Sequence, residues 1–145
     1  MPRARVLSLD EEDASPHHDD LVMQAVDSRR VVLSYAWDQG WISGFSALTS
    51  LYLIAEVEHH VSADEAGPRV DVALFDRDLE IPLLLLEIKS KRENQSASSW
   101  TSQIRGYEKF SGVPCVLVVA HDLSPAISRY LKFANIKIVD VRNLK

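Results

Sequence analysis

The feature that most constrains the fold is a short apolar run that ends in charged residues. Leu83–Leu86 is followed by Glu87, Ile88 and Lys89, and Pro82 stands just before the run. The run is far too short for a membrane-spanning helix. An apolar stretch of this length is typical of a strand that is buried on both faces, as in the sheets of α/β proteins. It therefore predicts a central strand.

The segments around this run predict alternating helices and strands. Before it, apolar spacing favours a helix, and alternating patterns favour two strands. After it, two helical patterns alternate with two further apolar strands. The predicted elements are a helix at about 17–38, strands within 50–61, 70–75 and 83–88, a helix around 100–107, a strand at 115–120, a helix from Ser124 and a strand at 136–141. The order α-β-β-β-α-β-α-β predicts a three-layer α/β domain with a mixed sheet.

Length and charge set further bounds. The chain has 145 residues, which suggests one domain, and Cys115 is its only cysteine, which excludes a cysteine-cluster metal site. Net charge is −5, and residues 1–27 alone account for it. We therefore divide the chain into an acidic leader, 1–15, and a domain, 16–145. Two stretches of the domain, 89–109 and 129–145, are locally basic. Without a secretory signal or a spanning segment, we expect a cytoplasmic protein with no membrane partner.

The charged end of the central strand is the candidate chemical site. Side chains alternate along a strand, so Glu87 and Lys89 point to the same face. If strands 70–75 and 83–89 pair as an antiparallel hairpin, Asp71 lies opposite Glu87 at the same sheet end. Two carboxylates, with the Ile88 carbonyl and water, are ligands that Mg²⁺ prefers. Lys89 could orient a water or stabilise charge on a phosphate. An ordinary salt-bridge group is the simpler alternative.

These residues, in this order, resemble the PD-(D/E)XK nuclease superfamily. Gln103 and Tyr107, four residues apart on the next helix, resemble the QxxxY motif of its RecB-like branch and of type I restriction subunits. The resemblance implies a restriction-endonuclease-like fold and cleavage of DNA with Mg²⁺ or Mn²⁺. It assigns Asp71 and Glu87 as metal ligands. It assigns Lys89 as the catalytic lysine and places Gln103 and Tyr107 over the site.

Two positions depart from the family's pattern. Val70 stands where the motif often has proline, and the first helix lacks the glutamate that family members often place there. The available acids on that helix are Asp19, Asp20 and Asp27, and Glu56 on the first strand is the other candidate.

Other functions stay open from the sequence. Gln103 and Tyr107 could be part of a packing face, and the whole domain could be a non-catalytic nucleic-acid-binding or assembly module. A nuclease toxin, or a restriction subunit working with a separate helicase chain, is a third possibility. Cutting both strands of duplex DNA would favour a homodimeric endonuclease. The pairs His17-His18 and His59-His60 could suggest zinc, but no cysteine or third ligand has the required spacing.

Overall fold

The computed structural model describes residues 17–42, 53–61, 69–76 and 82–144. The predicted leader, 1–15, lies outside these ranges. The described elements alternate between helix and strand after an initial helical pair. They are α1 (His18–Asp27), α2 (Arg29–Asp38), β1 (Leu53–His60), β2 (Arg69–Asp76), β3 (Leu84–Ile88), α3 (Ala97–Ser111), β4 (Cys115–Val119), α4 (Pro125–Phe133), β5 (Ile138–Asp140) and a 3₁₀ turn at Val141–Asn143. None of the helices in the described ranges is long and apolar enough to cross a membrane.

The five strands form one mixed sheet in the order β1-β2-β3-β4-β5. β1, β2 and β3 pair antiparallel, whereas β3, β4 and β5 pair parallel. The parallel connections require crossovers, which α3 and α4 provide. The apolar run forms the middle strand, and all five of its residues are buried. The predicted mixed α/β sheet with a central β3 is therefore confirmed.

Helices cover both faces of the sheet because β3 is apolar on both faces. Leu84, Leu86 and Ile88 belong to the core that contains α1 and α2. Leu85 belongs to the opposite core, which contains α3 and α4. Burying each leucine contributes about 2 kcal/mol relative to exposure. Alternation along β3 therefore places Glu87 on the face that α3 covers.

The first helix differs from the prediction, since the segment 17–38 is two helices. α1 ends at Asp27, and Ser28 leaves the helical conformation with φ −99° and ψ 14°. The Arg29 side chain accounts for the break. It donates to the Val26 carbonyl at the end of α1 and to the Leu53 carbonyl of β1, each at 2.8 Å. One guanidinium thus caps a helix and fastens it to the edge strand.

Candidate active site at the end of β3

The structure brings Asp71 and Glu87 together. β2 and β3 pair with Val72 opposite Leu86, which continues to Asp71 opposite Glu87, the register the sequence predicts. The Asp71 amide lies 3.4 Å from Glu87 Oε1, and the Ile88 amide donates to Asp71 Oδ2 at 2.7 Å. The carboxylates therefore stand on neighbouring strands at one end of the antiparallel pair. Each is held by the backbone of the other strand.

Lys89 joins the carboxylates from the same strand as Glu87. Its Nζ lies 3.1 Å from Glu87 Oε2. Both side chains are largely buried, with 12% of the Lys89 side chain and 4% of the Glu87 side chain exposed. An ion pair so far from solvent keeps both side chains in fixed positions, because water cannot compete well for either charge. The ammonium is thus held beside Glu87.

The Ile88 carbonyl points toward the same place. The Lys89 amide donates to the Val118 carbonyl of β4 at 3.0 Å. In a trans peptide the carbonyl points away from the following amide, so the Ile88 carbonyl faces β2 and Asp71. The three oxygen groups that the sequence predicts as metal ligands, from Asp71, Glu87 and Ile88, therefore lie at one end of the β2–β3 pair.

The electrostatics of the pair are dominated by the burial of Glu87 next to a second acid. Burial raises the pKa of Glu87, and the charge of Asp71 raises it further, while Lys89 lowers it. The result is a rise from the ordinary value of 4.5 to about 7. Near neutral pH the Glu87 carboxyl is therefore only partly ionised, and a nearby cation would favour its ionised form.

His18 is a site residue that the sequence analysis did not assign. Its Nε2 lies 3.2 Å from Asp71 Oδ2. Burial lowers the pKa of His18, but the charge and hydrogen bond of Asp71 outweigh burial and leave that pKa raised. The sequence signal that could have identified His18 is its helical spacing from buried residues. His18 stands three, four and seven residues before Leu21, Val22 and Ala25, all buried against the sheet. It therefore belongs to the inner face of α1.

Of the acids considered for the first helix, Asp19 lines the cavity beside Asp71. Within the described ranges, no hydrogen bond or ion pair joins Asp19, Asp20, Asp27 or Glu56 to either site carboxylate. The Asp19 side chain is fully exposed, 3.6 Å from His18 Nδ1, and Glu56 Oε1 pairs with His59 at 3.0 Å. The first helix contributes a histidine to this site.

Gln103 and Tyr107 form a link to the beginning of β2. The Gln103 amide donates to the Tyr107 hydroxyl at 3.0 Å, and that hydroxyl donates to the Arg69 carbonyl at 3.0 Å. Burial, followed by the charge of Glu87, raises the pKa of Tyr107 well above its usual range. Tyr107 thus stays a neutral donor. Gln103 and Tyr107 thus fix the backbone at Arg69, two residues before Asp71. The Tyr107 ring packs in the core, as expected if this helix face is a packing face.

A cavity opens beside Asp71. It has a volume of about 430 Å³, and Asp71, His18 and Glu58 line it with the apolar side chains of Met23 and Val57. Glu58 stands at the register position opposite Asp71, and its φ is +54°. A left-handed conformation at a non-glycine residue costs about 1 kcal/mol or more, and such strain often accompanies functional sites. The cavity therefore gives access to Asp71 from the α1 side of the sheet.

The donor set fits a hard divalent cation. In the part of the chain that the structure describes, no three His, Cys, Asp or Glu side chains form a cage of their own. Mg²⁺ does not need one, because it keeps several waters and usually binds one or two carboxylates plus substrate phosphates. Two acids and a backbone carbonyl match that preference. Burial and the charge of Asp71 raise the pKa of Glu87, and a cation bound between the two acids would oppose that rise.

The segment after Lys89 is a tight turn that carries a cation. The Ser90 amide donates to the Glu93 carboxylate, and the Gln95 amide donates to the Ser90 and Glu93 carbonyls at 3.2 Å and 2.8 Å. These bonds fix the backbone that presents Lys91, whose side chain is exposed. A positive charge therefore stands two residues from the candidate catalytic lysine.

Comparisons with protein-family models, with curated proteins and with solved structures found no match to this chain.

Proposed function

We propose that this protein is a metal-dependent DNA nuclease of the PD-(D/E)XK type, acting as an endonuclease with Mg²⁺ or Mn²⁺. One observation carries the proposal. Asp71, Glu87 and Lys89 converge at the end of the antiparallel β2–β3 pair, with the Ile88 carbonyl directed at the same point. The element order and the mixed sheet support a restriction-endonuclease-like fold.

Asp71, Glu87 and the Ile88 carbonyl are the residues that would hold the cation. When bound, a divalent cation neutralises charge that develops on a phosphate and lowers the pKa of a water. Lys89 supplies a fixed ammonium 3.1 Å from Glu87. From there it can orient the attacking water and stabilise the negative charge of the phosphoryl oxygens. For the acids to bind a cation, Glu87 must lose its proton, so we expect activity to rise with pH around 7.

His18, Gln103 and Tyr107 act in this scheme as positioning residues. His18 holds Asp71 Oδ2 from the α1 side, and Tyr107 holds the Arg69 carbonyl from the α3 side. Asp71 is thus fixed by a helix on each face of the sheet. Fixed ligands matter because small displacements of catalytic groups cost large factors in rate.

A polyanionic substrate fits the charges around the site. Lys91 follows the catalytic strand, and residues 89–109 and 129–145 are basic although the chain as a whole is acidic. Local positive charge attracts a phosphate backbone even when the net charge is negative.

The test is incubation of the protein with circular and linear DNA in the presence of Mg²⁺, Mn²⁺ or chelator. We expect nicking or linearisation of circles with either metal and none with chelator. An Asp71→Asn variant serves as the site control, and a Glu56→Gln variant, at an exposed acid on β1, serves as the matched control. Metal-independent cleavage, or equal cleavage by Asp71→Asn and wild type, would overturn the proposal. Binding of DNA without cleavage under all conditions would favour the non-catalytic alternative.

A further inference from the structure

A second pocket lies at the carboxyl ends of β4 and β5, away from the cavity beside Asp71. Its volume is about 460 Å³. The floor includes Val119 and Ile138 from the two strands, and Leu123 completes an apolar wall. In open α/β sheets, ligands bind outside the carboxyl ends of the parallel strands, because loops and helix N-termini leave crevices there. The location and the apolar walls both suit a small ligand.

His121 is the unusual residue of this pocket. It is 8% exposed, and neither of its ring nitrogens has a hydrogen-bond partner among the described residues. Native proteins satisfy nearly all buried polar groups, because leaving one unpaired destabilises the fold. Burial and the charge of Arg142 lower the pKa of His121. The ring is therefore neutral at pH 7 and offers one donor and one acceptor.

The charges around the pocket cancel. Arg142 donates to Asp122 at 2.7 Å and to Asp140 at 2.6 Å, so both carboxylates have a partner. Lys132 lines the pocket as the remaining cation. Two acids and two cations leave no net charge to select an ion. The pocket suits a neutral group with apolar faces and a polar edge.

Further polar side chains line the pocket and could bind the polar edge of such a ligand. Ser128 and Asn143 line the pocket and can each donate and accept a hydrogen bond. Tyr35 also lines it, and edge-on packing against Trp41, with ring centroids 5.6 Å apart, fixes its ring. An aromatic side chain held in place is a surface on which a flat heterocycle can stack.

We propose that this pocket binds one unpaired nucleobase of the DNA strand that passes over the end of β3. The inference rests on the proposed function, since it takes DNA to be the substrate. β4 neighbours β3 at about 4.8 Å, and His121 follows β4 by two residues. A base in the pocket would thus belong to a nucleotide near the scissile phosphate, and the enzyme would prefer single-stranded or locally opened DNA.

The experiment measures affinity in chelator, so that cleavage plays no part. A single-stranded oligonucleotide of about ten nucleotides is compared with a series in which each position in turn lacks its base. We expect wild type to lose roughly tenfold in affinity at one position or two adjacent positions. His121→Leu should bind the intact strand less tightly, and removal of the base should lower its affinity at no position. His60→Leu, the same change at the end of the opposite edge strand β1, should behave like wild type.

Folding is checked by thermal melting. His121→Leu should melt no lower than wild type, because it removes an unpaired buried polar group. Should it fail to fold, Asn143→Ala at the exposed rim gives the same comparison and should weaken the base-dependent contrast.

Several results would overturn the inference. Wild type could show no position-dependent loss of affinity, or His121→Leu and Asn143→Ala could show the same loss as wild type. Equal affinity for the strand and its perfect duplex would also overturn it, as would a free deoxynucleotide that binds as tightly as the strand. Base-dependent binding by a protein that cleaves nothing would refute the nuclease proposal but keep the pocket. Cleavage by a protein whose DNA binding shows no base dependence would keep the nuclease proposal and refute the pocket.

Discussion

Replacing Glu87 by glutamine should change how the stability of the metal-free protein depends on pH. In the folded state, burial and Asp71 raise the pKa of Glu87 to about 7, above its ordinary value of 4.5. The folded protein therefore holds the proton more tightly than the unfolded chain. This contribution to stability is fully present below pH 4.5, declines between pH 4.5 and 7 and is absent above pH 7. Glutamine does not titrate, so Glu87→Gln has no such loss.

The magnitude follows from the two pKa values. At about 1.4 kcal/mol per pKa unit, the rise from 4.5 to about 7 corresponds to about 3.5 kcal/mol, of which a little is already lost at pH 4.5. The difference in free energy of unfolding, variant minus wild type, should therefore increase by about 3 kcal/mol between pH 4.5 and pH 8. Urea unfolding at closely spaced pH values in chelator, analysed by linear extrapolation, measures it.

Glu56→Gln is the control, since Glu56 is an exposed acid on β1. Its stability profile should run parallel to that of wild type. Parallel profiles for Glu87→Gln and wild type would mean that Glu87 titrates in its ordinary range. That result would refute the claim that it is buried beside a second carboxylate.

Three further perturbations separate chemistry from structure. Lys89→Met should lower the rate of DNA cleavage by a hundredfold or more, since a fixed charge at the phosphate is lost, while Mg²⁺ binding at pH 8 persists in calorimetry. Tyr107→Phe removes the hydroxyl that bonds Arg69 and Gln103, so the melting temperature should fall by about 3 °C and the rate per folded molecule by a larger factor. Deleting residues 1–15 removes a net charge of −2, so DNA affinity should increase at low salt and approach that of full-length protein near 0.15 M salt.

Each of these has a result that contradicts it. Loss of Mg²⁺ binding in Lys89→Met would make Lys89 a structural residue. A large drop in melting temperature with an unchanged rate per folded Tyr107→Phe molecule would make the link from α3 a packing feature only. An equal affinity of truncated and full-length protein at every salt concentration would remove the leader's electrostatic role.

The sheet and the centre of the site were predictable because they follow from patterns along single strands. The unbroken apolar run at Leu83–Leu86 requires cover on both faces, which fixes β3 in the middle of the sheet. The separation of Asp71 and Glu87 fixes the hairpin register, because a shift by one residue would move buried leucines off their faces. Local physics was sufficient for both.

What the sequence did not reveal depends on contacts between distant elements. The break at Ser28 arises because Arg29 reaches Leu53, a partner 24 residues away. His18 becomes a site residue only when α1 packs over β2 and brings it to Asp71, 53 residues later. The pocket at His121 needs the ends of β4, β5 and α4 together. No periodic pattern within a single segment predicts these contacts between distant elements.

The most direct test of the central claim is a calorimetric Mg²⁺ titration at pH 8 of wild type, Asp71→Asn and the control Glu56→Gln. If Asp71 and Glu87 hold the cation with the Ile88 carbonyl, wild type and Glu56→Gln should bind Mg²⁺ with the same affinity. Asp71→Asn should lose that binding while its unfolding transition stays cooperative. Unchanged Mg²⁺ binding by Asp71→Asn, or none by wild type, would contradict the claim that these carboxylates form a metal site.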